Sequence, residues 1–462
     1  MKQLLSLLLL CFSCLWLTPT QASHLRGGYI TYTTDAQNPR SYNFEMVVFR
    51  DITGVGAEPS VTIFTGLDNV IVTKTSEIDL GDNISRLTYV WNSTYPADGT
   101  YTVSWVGINR NNNILNVAQP SEQHSFLLQT TFTVSSLNPD RHGINYLNPS
   151  TTDAYAGTPL KFNLQAYDAD GDSLVYSLTS PYRMSANNTP QPVPGYTIPE
   201  GLSVNQFGEI NWPEPTTKGE FIFAVEVKAY RDKRLVHTSI NDLQVLVRDA
   251  EAAPEFSLTN QNQLNISSGG YILAKPDIPL KLSFFVKNPS DKTLEVLQPV
   301  SELQEPHLNT QNTIQIAHRD SAGGIVKEIL FTPTTSLKRS VPFALGIRGQ
   351  VKTQDNGRNL YKREFVYLLV GDQLSNSLPD LLPELAHLLY PNPAGTHFIV
   401  EAPAASSAIF RLYALDGRLV KEQVLQPGKN RVVRPSGINT GLYTYQISSH
   451  GYRSRTGKLL LE

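Results

Sequence analysis

Tyr42-Asn43-Phe44-Glu45-Met46-Val47-Val48 alternates apolar and polar side chains before closing on an apolar pair. Successive side chains of a strand point to opposite faces, so a period of two marks a strand with one face in a core. The same alternation runs through Tyr29-Ile30-Thr31-Tyr32, Val61-Thr62-Ile63-Phe64 and Tyr101-Thr102-Val103-Ser104-Trp105-Val106. All are rich in the Thr, Val, Tyr and Trp that suit a pleated, half-buried surface. Pro96-Ala97-Asp98-Gly99 punctuates the series as a turn. No segment sustains a 3.6-residue period, so residues 24–134 are predicted to form an all-β sandwich rather than an α/β unit.

The pattern continues downstream. Residues 135–249 hold Leu160 to Tyr167, Gly208-Glu209-Ile210-Asn211-Trp212, Val225-Glu226-Val227 and Asp242-Leu243-Gln244-Val245-Leu246-Val247, which predict a second sandwich. Residues 253–371 predict a third, from Leu280 to Val286, Thr313 to Ile316, Ile325 to Phe331 and Tyr361 to Val370. A linker with Pro379 and Pro383 spans 372–389, where an accessible chain invites proteolysis. Residues 390–462 form a compact β module. Its strongest turn is Asp416-Gly417, between the runs Leu412-Tyr413 and Leu419-Val420, because a type I′ hairpin needs positive φ at both central positions.

At the other end, Lys2, the apolar run Leu4 to Leu17 and the small-residue site Thr20-Gln21-Ala22 read as a signal peptide over residues 1–23. Both cysteines, Cys11 and Cys14, lie inside it. The remaining chain therefore has no disulfide or thiolate chemistry, and its sandwiches must rest on apolar cores. A lipoprotein role for Cys14 is disfavoured by the Cys11-Phe12-Ser13 that precedes it. No later stretch approaches the roughly 20 apolar residues of a membrane helix, so no transmembrane segment is expected. Net charge is −3 with a pI near 6.3, which gives no general attraction to nucleic acid. The last module departs from that average with nine Lys and Arg against four acidic residues.

Asp168-Ala169-Asp170-Gly171-Asp172 carries the only readable site chemistry. Carboxylates at i, i+2 and i+4 bring hard oxygens to one point, which suits Ca²⁺ with its six to eight oxygen ligands. Asp242, on a later strand, is the candidate fourth ligand. Gly171 stands at loop position four rather than six and Thr179 where a bidentate Glu is needed, so the loop is not an EF-hand. Extracellular calcium modules bind near 10⁻⁴ to 10⁻³ M, and at the tighter end millimolar calcium would stabilise by about 1.4 kcal/mol. The plain alternative is a solvated acidic turn.

Three resemblances to known families add to these readings. Tyr390-Pro391-Asn392-Pro393, the central hairpin, Gly441-Leu442-Tyr443 and the closing Lys458-Leu459-Leu460-Leu461 resemble the C-terminal sorting domain of the type IX secretion system of Bacteroidetes. That resemblance implies export through the type IX machinery, recognised through residues 390–462, to the secreted fraction or the outer cell surface. The Asp loop and the strands after it resemble cadherin-like Ig modules of bacterial surface proteins, whose Asp-x-Asp-Gly-Asp loop is read as a calcium site. His24-Leu25-Arg26-Gly27-Gly28-Tyr29 with Arg50-Asp51 is similar to the N-terminal module of gliding-motility-associated surface proteins, although Ile52 stands where that family commonly has cysteine. Asp320-Ser321-Ala322, and less so Asp172-Ser173-Leu174, resemble the O-glycosylation acceptor pattern of the same bacteria. The expected fold is thus a set of tandem Ig-like or cadherin-like β-sandwich domains.

Enzyme motifs are absent: there is no His-Glu-x-x-His, Gly-x-Ser-x-Gly or phosphate-binding glycine loop, and the nine histidines are scattered. Glu209 and Glu220 beside Trp212 imitate a glycosidase pair with a stacking indole, but Trp212 reads better as sandwich core. The expectation is a non-catalytic adhesion or structural protein that meets protein or glycan ligands at the surface. A carbohydrate-binding accessory protein using exposed aromatics is the alternative, and a secreted hydrolase stands behind both.

Overall fold

The computed structural model describes residues 24–372 and 388–462, apart from short stretches at 36, 55, 250–252, 268, 290–291, 309, 311–312, 353–358, 403–407, 415–417, 427, 436 and 450–454. The signal peptide with Cys11 and Cys14, most of the linker and the Asp416-Gly417 turn lie outside these residues. The described chain is built of strands and short 3-10 turns, in the tandem β-sandwich architecture expected.

The first two units are not separate beads. Starting from Leu25–Thr34, hydrogen bonding runs through Ser41–Asp51, Ile84–Thr94, Asn69–Asp79, Ser60–Phe64, Gly99–Gly107 and Phe126–Val134. The ring is then closed by Arg234–Arg248, which pairs with Phe126–Val134 at His237 to Ser239 and with Leu25–Thr34 at Asp242 and Leu243. The closing strand lies within residues 135–249, where its alternation predicts a strand of the second sandwich, yet it also completes the sheet of residues 24–134. The core inside the ring is aromatic. Tyr32, Tyr42, Phe44, Trp91, Tyr95 and Phe132 are buried; Tyr42 and Phe132 meet Tyr95 edge-on, Tyr32 meets Tyr42 edge-on, and Phe44 stacks on Trp91 at 5.2 Å.

The other face of Arg234–Arg248 and its hairpin partner Gly219–Arg231 serve the second core. Phe162, Leu164, Ile210, Trp212, Phe223, Leu243 and Val245 are buried there. Trp212 is a core residue, edge-on to Phe221 at 5.1 Å. One strand prediction needs correction. Leu160 to Tyr167 is not continuous, because Gln165 adopts a positive φ of 50° and splits it into Leu160–Asn163 and Ala166–Tyr167, which join different sheets.

The third unit packs Glu255–Leu258, Leu280–Lys287, Gly324–Phe331 and Ile314–Ser321 against Tyr271–Ala274, Leu360–Val370, Phe343–Val351 and Leu294–Val296. It is braced to the others by buried and part-buried polar contacts. The Tyr361 hydroxyl accepts from Asp153 N at 2.7 Å, and Tyr361 N donates to the Tyr155 hydroxyl at 2.9 Å. Tyr367 donates to Glu209 at 2.8 Å and stacks on Phe207. The Gln165 amide donates to the carbonyls of Val300 and Ala344 at 2.8 and 3.1 Å. Gly346 permits this approach, since a Cβ there would lie 2.9 Å from Gln165 Oε1. Arg348 ion-pairs with Asp82 of the first unit, and Asn359 N donates to the same carboxylate.

The C-terminal module packs Leu388–Tyr390, His397–Ala402 and Gly428–Val433 against Leu419–Leu425, Ala408–Tyr413, Gly441–Ser449 and Arg455–Leu461. The predicted hairpin is present in its flanking strands, where Leu412 faces Lys421 and Tyr413 faces Leu419.

Candidate cation site

The Asp168 loop joins Ala166–Tyr167 to Ser173–Thr179. Asp168 Oδ1 accepts from Asp170 N at 2.9 Å and its carbonyl accepts from Gly171 N at 3.1 Å. Gly171 sits at φ +82°, with open space where a Cβ would be, so backbone conformation rather than crowding asks for glycine. This local hydrogen bonding is the usual reason that Asp and Gly make turns.

The cluster is completed by residues that sequence spacing does not connect. Asp140, Arg141 and His142 come from the segment leaving the first unit, and Arg231 from the end of Gly219–Arg231, before a hairpin turn in which Asp232 and Lys233 both have positive φ. Single oxygens of Asp140, Asp170 and Asp172 lie within 4.8 Å of one another, an arrangement that could coordinate a divalent cation. A guanidinium is already among them. Arg231 Nε donates to Asp172 Oδ1 and Nη2 to Asp172 Oδ2, both at 2.8 Å, while Nη2 also reaches Asp170 at 2.8 Å and Asp140 at 3.1 Å. Its Nη1 donates to the Pro139 carbonyl at 2.9 Å.

Asp170 also accepts from Arg141 N at 2.6 Å and faces His142 Nδ1 at 2.6 Å. Tyr32 donates to Asp140 from the aromatic core of the first unit. Asp168 Oδ2 is buried without a partner.

The protonation states follow from these contacts. Burial pushes Asp140 up to about 7, against the Tyr32 hydrogen bond. Burial, reinforced by the charges of Asp140, Asp172 and Asp170, holds Asp168 well above the carboxylate range. For Asp170 burial is outweighed by the bonds from His142, Arg141 N and Arg231, and its carboxyl falls below that range. The Asp170 bond raises His142. A neutral Asp168 needs no counter-ion, which removes much of the repulsion that four ionised carboxylates would suffer.

Asp242 lies elsewhere. It is buried on Arg234–Arg248 and held by Arg110, with Nη1 at 3.2 Å and Nη2 at 2.5 Å; burial raises its carboxyl while Arg110 opposes the rise. It borders a second buried network in which Arg26 bridges Asp51 and Glu220 at 2.7 and 2.6 Å, and Asn111 joins Glu220 to Gln244. Glu220 is thus committed to a structural ion pair and Glu209 to Tyr367, so the two do not flank a common cleft as a carboxylate pair.

In the last module the most recognisable residues hold each other. Asn392 Nδ2 donates to the Lys458 carbonyl and Asn392 Oδ1 accepts from Leu460 N, both at 2.9 Å, so a side chain pairs with the final strand as a backbone would. Ala394 N then donates to the Leu460 carbonyl and Glu462 N to the Ala394 carbonyl. Leu459 and Leu461 are buried in the module core.

Two family models match the chain. Residues 143–240 match the family described as "Putative Ig domain", and residues 388–462 match the "Secretion system C-terminal sorting domain". The protein is therefore multidomain, with an Ig-like domain and a C-terminal Por-type sorting domain of the kind carried by type IX secretion substrates. No curated protein matches it. Among solved structures it is similar to immunoglobulin domains 1–4 of Sidekick-1, at 10% identity over 90% of this chain and 93% of that one with a TM-score of 0.17. It is also similar to Drosophila N-cadherin EC1–4, at 13% identity over 88% and 92% with a TM-score of 0.18. A third similarity is to the CupB2 chaperone of Pseudomonas aeruginosa, at 15% identity over 43% and 100% with a TM-score of 0.17. Among the described residues no helix is long and apolar enough to cross a membrane.

Proposed function

We propose that this is a non-catalytic adhesion or structural protein, delivered to the outer cell surface or the medium by its sorting domain. The observation that carries the reading is the bracing of residues 24–371. Tyr361, Tyr367, Gln165 and the Arg348–Asp82 pair tie the third unit to both others through buried and part-buried contacts. A chain that only needed connectors would not bury so many polar groups between its units, because each must keep a partner. Rigid spacing of a binding face from the cell is what such bracing achieves.

Calcium enters this reading as a competitor. The oxygens of Asp140, Asp170 and Asp172 suit it, but Arg231 must first leave, and a guanidinium forked onto a buried carboxylate is a strong charge-assisted pair. The glycan alternative relies on exposed aromatics; the described tryptophans Trp91, Trp105 and Trp212 are all buried, and among the described residues of the three sandwiches Phe64 alone is an exposed aromatic, which offers no stacking platform of several rings. Protein ligands are therefore favoured over sugars.

Deletion of residues 388–462 followed by cell fractionation tests the export half of the proposal. Periplasmic retention is expected, and unchanged display outside the cell would refute it. Retention of the purified chain on cells or immobilised proteins, against retention on insoluble polysaccharide, tests the adhesive half.

A further inference from the structure

Part of the sorting motif holds the module together, while Tyr390 to Pro393, Leu442 and Leu460 stay exposed. Both ends of the Asn392 amide are bonded to the last strand, Ala394 has no exposed surface, and Leu459 and Leu461 are core. A partner meeting the folded module finds those groups already engaged. The broadest surface left open to it is the outward face of the sheet formed by Leu419–Leu425, Ala408–Tyr413, Gly441–Ser449 and Arg455–Leu461, which carries Leu442 and Leu460 of the motif.

That face is not an ordinary solvated one. The inward side takes Ala408, Phe410, Leu412, Tyr443 and Ile447. Alternation therefore turns Ile409, Tyr413, Val424 and Leu442 outward, and register sets Val424 opposite Ile409 and Leu442 opposite Leu460. Val424 is 59% exposed, Leu419 48%, Leu442 40% and Leu460 37%, where an outward sheet face would normally be polar. Arg411 and Lys458 stand among them, and the facing acid Glu422 is paired to Arg411 at 2.6 Å. Among the described residues the opposite sheet exposes fewer large apolar groups, Val433 and Tyr390. The module as a whole carries nine Lys and Arg against four acids in a chain that is net acidic.

We infer that this four-stranded face is the surface by which the export machinery grips the module, and that the gripping surface is a protein patch with an apolar centre and carboxylates around it. Apolar contact supplies affinity, and Lys458 together with the module's net positive charge favours and speeds encounter with an acidic partner. The inference rests on the export reading above. It assigns recognition to one face and leaves Asn392 as a clasp on the last strand.

The experiment compares full-length chains carrying Val424→Glu with Leu442→Glu, Val433→Glu on the opposite sheet, and the 388–462 deletion. The exported fraction and the thermal midpoint of the purified chain are read for each. The face pair is expected to lower export about tenfold with the midpoint unchanged, while Val433→Glu is exported normally. Normal export of the face pair overturns the proposal, as does an equal loss from Val433→Glu. Should the face pair lower the midpoint, Val424→Thr with Leu442→Thr removes apolar area without adding charge and is expected to reduce export in the same direction; normal export then overturns the proposal too. A deletion that is still exported defeats the export reading itself, whereas a retained deletion beside an exported face pair defeats the face alone.

Discussion

Arg231 forks onto both oxygens of Asp172, with Nε and Nη2 each 2.8 Å from its partner. This contact places a permanent cation where the loop's spacing calls for a metal. The pair is largely buried, and the same guanidinium also serves Asp170 and Asp140.

Removing that cation has a two-part expected outcome. Arg231→Ala leaves buried carboxylates unpaired and costs about 3 kcal/mol, the range for breaking one side of a buried ion pair. The wild-type chain melts at the same temperature in millimolar calcium and in EDTA, while Arg231→Ala melts higher in calcium. A calcium shift in the wild type would mean that the metal displaces the guanidinium.

The cluster also makes stability depend on pH. Asp140 is raised from the ordinary carboxylate value to about 7, and Asp168 is raised as well, so the folded state binds protons that the unfolded state has released. His142 is raised, and its contribution is complete below its ordinary value and lost as pH rises through the folded one. All three act in one direction. Stability should fall as pH rises from about 4 through 7. Asp170, lowered, adds stability above the ordinary carboxylate value and loses it only in stronger acid. Denaturant midpoints at pH 5.5 and 7.5 check the sign, and Asp140→Asn should flatten the difference.

Bracing between units predicts cooperative unfolding. Calorimetry should give one main transition for residues 24–371 and a separate one for the C-terminal module. Tyr361→Phe leaves the buried Asp153 N without its acceptor, a cost of about 1–3 kcal/mol. It should split the main transition, with the third unit melting first.

The Asn392 clasp predicts a local effect. Asn392→Ala removes two hydrogen bonds to the last strand, each worth about 1 kcal/mol net. Limited proteolysis should then attack residues near Lys458 sooner, with the main transition unmoved. Asn392→Asp, which sets an acceptor against the Lys458 carbonyl, should be more damaging than alanine.

Alternation read from the sequence located most strands because one face of each meets a core and the other does not, as with Tyr42 and Phe44 inward and Asn43 exposed. It placed Trp212 in the core for the same reason. It could not see that Gln165 turns the chain, because a non-glycine residue at positive φ has no pattern of its own and here answers to contacts with Val300 and Ala344. Three members of the Asp loop were legible from their spacing. Arg231 and Asp140 were not, since Arg231 lies 59 residues beyond Asp172 and reaches it only through the register of a hairpin. Asp242 stands out in the sequence as an acid on a strand. Its strand instead turns it toward Arg110, 132 residues earlier in the chain.

The long strand Arg234–Arg248 has a consequence for synthesis and for ancestry. The ring of residues 24–134 stays open until a segment made about a hundred residues later is available to seal it. Contacts so distant along the chain are slow to form, because loop closure must come before they repay it. The amino-terminal unit therefore waits, incomplete, while the second is being assembled, and the two mature together. A gene fragment ending at residue 134 would encode an unsealed sheet with bare edges, so these two units are expected to be inherited as a pair.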